Sequence, residues 1–336
     1  MPVKYPRGTV PKTLGRFALR VAFFLALSVL ASTQEVGSTF VRQKIIIDTD
    51  IGGDIDDAFA LALALSSPDV ELLGVTTAWG DTQVRARLVD RLLCETGMQS
   101  VAVRAGVPMP STVPINQARW AEAFAKPAQP YASAIDFIAE QIRRYPKQIT
   151  LIAIAPLSNL GALIERDAAS LRQLKRVVMM GGSIYRGYND LGYLANHGPD
   201  AKYNIAADIA SSRRVFGAGV PLFVMPLDST QLKLDEVKRQ IIFADSTPLT
   251  DALTLLYHQW GQQTPTLYDA VAVAYAIAPE ICPMQPMRIA IDNQGYTRPV
   301  TGPPNAQVCL NSKAEQFFDL YMTRVLGRKL FGHCSK

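Results

Sequence analysis

Residues 44–66 read KIIIDTDIGGDIDDAFALALALS, and the fold follows from this stretch. Lys44–Thr49 carries three isoleucines in a row, the pattern of a buried strand, and Asp57–Ser66 is an Ala/Leu-rich run of helical length. Gly52 and Gly53 mark a tight turn between them. Strand, turn and helix in that order begin a βα unit.

The alternation continues outward. Strands are expected at Val70–Thr77, Val101–Ala105, Thr150–Ala155, Arg176–Met179 and Leu222–Met225. Helices are expected at Thr82–Gly97, Tyr131–Tyr145, Ser158–Glu165 and Ala206–Phe216. This is an α/β pattern, a mostly parallel open sheet with helices on both faces, and no composition shift or linker divides it into two domains. Pro108–Gln129, Gly181–Tyr203 and Gln262–Tyr268 carry no clear element, and they are expected to wall a crevice at the carboxyl ends of the strands.

Asp48, Asp50, Asp54, Asp56 and Asp57 fall within ten residues at the end of the first strand. Five like charges repel, so a chain that keeps them together needs something to neutralise them. Hard oxygen ligands around a glycine turn suit Ca²⁺ or, less well, Mg²⁺. Helix capping accounts for one or two of the five. An EF-hand is excluded, because counting from Asp48 puts Phe59 at the twelfth position, where a bidentate Glu is required. A phosphatase of the haloacid dehalogenase type also places D-x-D after its first strand, but it needs a small hydroxyl residue soon after and a distant paired acid motif, and neither is evident in this sequence.

The 336-residue chain has a formal charge of +5, yet five basic residues, Lys4, Arg7, Lys12, Arg16 and Arg20, precede Val21. The remaining 29 basic residues equal the 29 acidic ones, so a nucleic-acid groove is not indicated. Residues 1–31 have a basic start, an apolar run at Val21–Leu30 and small residues suited to cleavage after Ala31. They read as a secretory signal, followed by a short segment 32–43, a domain over 44–331 and a tail at 332–336. A periplasmic or secreted chain without stable membrane association is the expectation, and export permits disulfides. Cys94, Cys282, Cys309 and Cys334 allow three pairings and lack metal-ligand spacing.

DTDIGGDIDDA resembles the opening signature of the inosine-uridine-preferring nucleoside hydrolases, D-x-D-P-G-x-D-D-A, with two extra residues in the turn. GVTTAWGD (74–81), LIAIAPLSNLGALI (151–164), VVMMGGS (177–183), AKYNIAAD (201–208) and TLYDAVAVAYA (266–276) look like that family's later motifs, in order. The resemblance implies a Rossmann-like nucleoside hydrolase fold and hydrolysis of the N-glycosidic bond of ribonucleosides. It further implies a Ca²⁺ ion that holds the ribose 2′ and 3′ hydroxyls and the attacking water. The ligands would be Asp50, Asp57, Asp269 and the backbone carbonyl of Ile154, with Asp56 as general base. Asp54 competes with Asp56 and Asp57 for these roles, and Asp48 is expected to orient the loop.

On the substrate side the resemblance implies Asn196, Asn204 and Met180 around the ribose. It also exposes departures: Asp81 stands where an Asn is usual, Lys202 where a Glu is usual, Tyr268 where some members have a His, and Ala155 where a Gly precedes Pro156. Lys202 either binds an anionic or modified 5′ position or turns to solvent. Trp120, with Tyr257 or Trp260, is a candidate for stacking on the base, and His197 could reach the pocket from its loop. Relatives are commonly dimers or tetramers, so a homodimer or homotetramer is implied. The competing class is a non-catalytic riboside-binding protein on the same scaffold.

Overall fold

The computed structural model describes residues 1–3, 42–122, 124, 127–191, 197–332 and 334. The expected leader from residue 4 onward, most of segment 32–43, Asn196 and part of the tail lie outside the described residues. Among them no helix is long and apolar enough to cross a membrane.

The elements run β1 (Gln43–Thr49), α1 (Asp56–Ser66), β2 (Val70–Thr77), α2 (Thr82–Glu95), β3 (Ala102–Ala105), α3 (Ala118–Glu122) and α4 (Ala134–Arg144). Then follow β4 (Thr150–Ala153), α5 (Ser158–Leu171), β5 (Arg176–Met180), α6 (Tyr203–Ala206), α7 (Ile209–Gly217), β6 (Leu222–Met225), α8 (Leu227–Thr230) and α9 (Glu236–Ala244). The chain closes with α10 (Pro248–Trp260), α11 (Tyr268–Ile277), β7 (Met284–Met287), β8 (Ile289–Ile291), β9 (Thr297–Pro299), β10 (Ala306–Cys309) and α12 (Ala314–Gly327).

Eight strands form one sheet in the order β3-β2-β1-β4-β5-β6-β10-β7, parallel throughout except for β7 against β10. The chain fills the sheet from β1 out to β3, then returns to β4 and proceeds the other way, so the switch point falls between β1 and β4. In open α/β sheets the ligand crevice lies there, outside the carboxyl ends of the strands. Asp50 follows β1 and Ile154 follows β4, which brings two of the expected site residues to this point.

β1 alternates between two cores. Ile45 and Ile47 pack with α1, α2, α10, α11 and α12, while Ile46 packs with α4, α5 and α7. All of α1 is buried, and α11 from Asp269 to Ala276 is buried too, which explains why neither shows a polar stripe in its sequence. These two helices pack against each other under α12, where Tyr321 donates its hydroxyl proton to the Phe59 carbonyl at 3.0 Å. The cysteines pair as Cys94–Cys334 and Cys282–Cys309.

Several expected boundaries move, and four elements show where the ends fall. β4 ends at Ala153, the Ile154 amide making a last bond to the Asp48 carbonyl of β1 (2.8 Å) before the chain leaves the sheet. The helix expected from Tyr131 starts at Ala134 behind the Ser133 cap. The one expected over Ala206–Phe216 divides into α6 and α7 because Asp208 caps Ser211. α5 continues past Glu165 to Leu171 through a non-helical Asp167.

α5 and α7 approach so closely at Gly161 that an added Cβ would lie 2.1 Å from Ser211 Oγ and 2.9 Å from its Cα. Gly161→Ala is expected to lose about 1–3 kcal/mol of stability through overpacking. Urea unfolding measures this, and an unchanged midpoint would contradict the close packing.

Candidate active site

The switch point opens into a cavity of about 250 Å³ lined by Asp50, Asp54, Asp56, Asp57, Asp269, Lys202, Arg85 and the tyrosines 188, 203 and 268, with Ile154 and Asn204 on its floor. A larger groove at the opposite end of β6, lined by Arg213 and Arg288, carries no comparable cluster of acids. Loop residues Val113 and Tyr188 line the cavity, and they come from two of the irregular stretches expected to form walls.

Gly52 has φ +117°, a conformation open to glycine, and lets the turn after β1 fold back so that α1 begins directly over the strand end. Asp56 and Asp57 occupy the first turn of α1, and Asp269 occupies the first turn of α11. The positive ends of both helix dipoles therefore face the acids. Carboxylate oxygens of Asp56, Asp57 and Asp269 all lie within 4.8 Å of one another, and the three side chains are buried.

Burial pushes all three carboxyls well above the ordinary carboxylate range, and mutual repulsion adds to it, from Asp54 on Asp56, Asp50 on Asp57 and Asp56 on Asp269. Asp56 and Asp269 are close enough to share a hydrogen bond. Two carboxyl groups so placed share a proton, or both stay ionised only with a cation between them. Five aspartates line the cavity against one lysine and one arginine, and all five offer hard oxygens. The donor set thus fits a divalent, oxygen-preferring metal ion, with Asp50 on the same wall and the Ile154 carbonyl available beside it.

Around this cluster the supporting bonds are short. Thr49 Oγ1 donates to Asp57 Oδ1 at 2.5 Å. Asp48 lies behind the cavity, and its Oδ1 accepts from Thr76 Oγ1 (2.5 Å) and Asn159 Nδ2 (2.8 Å). Burial holds the Asp48 carboxyl up at about 7 despite those two donors. Asp54 turns its Oδ1 to the Ile55 amide (2.7 Å) and also takes the Trp260 side chain, so it is engaged at the rim outside the tight three-carboxylate cluster.

Asn204 Nδ2 donates to the Ile154 carbonyl (3.0 Å) and the Met180 carbonyl (3.1 Å), which leaves its amide oxygen as the free acceptor. Tyr268 lines the cavity, and burial raises its phenol to about 12. Lys202 does not turn to solvent: its side chain is buried in the cavity wall. Burial alone would lower its pKa, but Tyr188, Asp269 and Asp56 outweigh that and hold it above the ordinary lysine value.

Three expected substrate residues stand elsewhere. Asp81 is exposed and caps α2, accepting from the amides of Gln83 (3.1 Å) and Val84 (3.0 Å). Met180 is fully buried beneath Asn204. Trp120 packs into the core under the Arg91 guanidinium, 4.4 Å from its ring centroid, and its backbone amide bonds Gln259 Oε1 (3.1 Å), so it offers no face to the cavity. Tyr257 and Trp260 pack against each other at a tilt of 46°, with centroids 6.1 Å apart. His197 is exposed, 3.2 Å from the Tyr188 carbonyl.

Compared with known proteins, the chain matches the family described as inosine-uridine preferring nucleoside hydrolase over residues 45–319. It is 30% identical over 302 residues to a non-specific ribonucleoside hydrolase RihC of Klebsiella pneumoniae, covering 82% of this chain and 96% of the other. A pyrimidine-specific ribonucleoside hydrolase RihB of Escherichia coli O157:H7 is 28% identical over 319 residues, covering 85% and 98%. In structure the chain resembles the plant nucleoside hydrolase PpNRh1, with a TM-score of 0.75 at 20% identity, over 85% of this chain and 99% of that one.

Two residues that the sequence reading passed over hold the site together. Asn159 joins Asp48 to the Thr77 carbonyl (3.0 Å) and so ties the ends of β1 and β2 to the start of α5. Arg85 is fully buried and donates to the carbonyls of Asp50, Ile51 (2.8 Å) and Trp79 (2.8 Å), while its charge faces Asp50 and Asp57. Its sequence signal is a lone charge on the apolar stripe with Leu88, Val89 and Leu92. Arg85→Met strands three carbonyls and removes a buried cation, so it should cost about 3–5 kcal/mol. Arg85→Lys should recover only part of that, because an ammonium lacks the guanidinium fork. Equal urea midpoints for wild type and Arg85→Met would refute this role.

Proposed function

The chain belongs to the inosine-uridine preferring nucleoside hydrolase family and is a hydrolase of N-glycosidic bonds, and from that premise we propose that it cleaves ribonucleosides with a calcium ion in the acidic cavity and Asp56 as general base. The observation that carries this reading is the buried group of Asp56, Asp57 and Asp269 at the sheet's switch point. Asp50, Asp57, Asp269 and the Ile154 carbonyl would hold the ion, with substrate and water supplying the further oxygens that calcium takes. When bound, the ion supplies a fixed positive charge that polarises hydroxyl groups and water near the ribose.

The protein's own groups account for the remaining steps. Asp56 takes the proton of the attacking water as the glycosidic bond lengthens and C1′ gains oxocarbenium character. The Asn204 amide oxygen accepts a ribose hydroxyl, its nitrogen being committed to Ile154 and Met180. A Tyr268 phenol with a pKa of about 12 stays protonated at neutral pH, so it can donate a hydrogen bond to the departing base but is a weak acid.

We also place the working chain outside the cytoplasm, in the periplasm or beyond. The basic, apolar and small-residue pattern of residues 1–31 supports this, as do the two disulfides.

Purified protein is expected to release ribose from inosine or uridine, to lose that activity with a chelator and to regain it with calcium. Calcium at a hundredfold excess over its Kd should add about 2.7 kcal/mol of stability. Asp56→Asn should lower kcat by about 10²–10⁴. Activity that persists in chelator, or survives in Asp56→Asn, would defeat the reading. Tyr268→Phe should slow inosine hydrolysis while sparing 4-nitrophenyl riboside, whose leaving group needs no donor; equal effects on both substrates would remove Tyr268 from leaving-group activation.

A further inference from the structure

Lys202 lies just before α6 with its side chain buried, on the wall it shares with Asp50, Asp54, Asp56, Asp57 and Asp269. Its Nζ is 5.7 Å from the Tyr188 ring centroid and 5.5 Å from that of Tyr268, so two aromatic rings flank the ammonium. Among the described residues it joins no carboxylate in a direct ion pair. Its charge nevertheless acts on Asp50, Asp54, Asp56 and Asp269. The ammonium is thus held within reach of the acids' field while standing apart from their oxygens.

We propose that Lys202 is a built-in counter-cation of the acidic cavity, which steadies the carboxylates when no divalent ion is bound and weakens the binding of that ion when it enters. The inference rests on the calcium reading above. Buried carboxylates without a cation are costly, and an ammonium several ångströms away offsets part of that cost. A divalent ion arriving among the same carboxylates meets a positive charge already in place, and in a partly desolvated site that repulsion is only weakly screened. Lys202 therefore trades metal affinity for tolerance of the metal-free state, and the ion is exchangeable instead of permanent.

The test compares the full chain as wild type, Lys202→Met and Lys202→Arg. Met keeps an apolar stem between the two rings without the charge, and Arg keeps the charge. Calcium binding is measured by titration calorimetry, and thermal unfolding is followed in chelator and in calcium. Lys202→Met is expected to bind calcium at least about tenfold more tightly than wild type. It should also melt lower in chelator and gain more from calcium, with Lys202→Arg staying within about threefold of wild type in Kd. If Lys202→Met does not fold, Lys202→Gln takes its place in the same titration. Binding by wild type with equal or weaker binding by the neutral variant would overturn the counter-cation role alone. No calcium binding by any variant would overturn both this inference and the calcium reading beneath it.

Discussion

Two helices without a polar face, α1 and α11, meet inside the protein with their N-termini side by side, and the rest of the site depends on that meeting. α1 begins with Asp56 and Asp57 and α11 carries Asp269 in its first turn, so packing two apolar cylinders together also forces these three together. Hydrophobic burial along ten or so residues of each helix drives the contact, and the electrostatic cost concentrates at one end. Like charges that would scatter on a surface are held here because the helices behind them have nowhere else to go.

The surroundings offset that cost in layers. The helix dipoles present their positive ends, Thr49 donates to Asp57, and Arg85 lies beneath the turn with its fork in three carbonyls. Asn159 and Thr76 fix Asp48, so the strand end cannot slide while its neighbours repel. What remains uncompensated is negative charge facing an open cavity, which is where chemistry with a cation and a polar sugar belongs.

The α/β class and the parallel strands β1 to β6 were legible because each is a short run rich in apolar and β-branched residues between turn signals. β7, β8 and β9 were not assigned, since three or four residues broken by Pro286 or ending at Pro299 show no period. α10 carried a readable signal in Thr247, Pro248 and Thr250, which form a capping box. In the site, the acids of 48–57 were legible because their crowding is a local feature of the sequence, whereas Asp269 was reached only through the motif at 266–276. Asp81 and Met180 were matched by motif position and Trp120 by its loop, and the structure makes Asp81 a helix cap, buries Met180 behind Asn204 and packs Trp120 under Arg91. Arg85 and Asn159 escaped because their partners are carbonyls and a carboxylate at large sequence separation, which no pattern along the chain records.

The Cys94–Cys334 bridge links the end of α2 to the chain's last residues across 240 positions. Lys202, Asn204 and Asp269 all lie inside the covalent ring it closes, as do the exposed loop residues of 108–114. A protease that clips one such loop therefore produces a nicked chain and not two fragments. The two pieces stay covalently joined through the bridge, so the helices that carry the acids can re-dock without a search through solution. The bridge thus turns a cut anywhere within the ring from a separation of the chain into a local break.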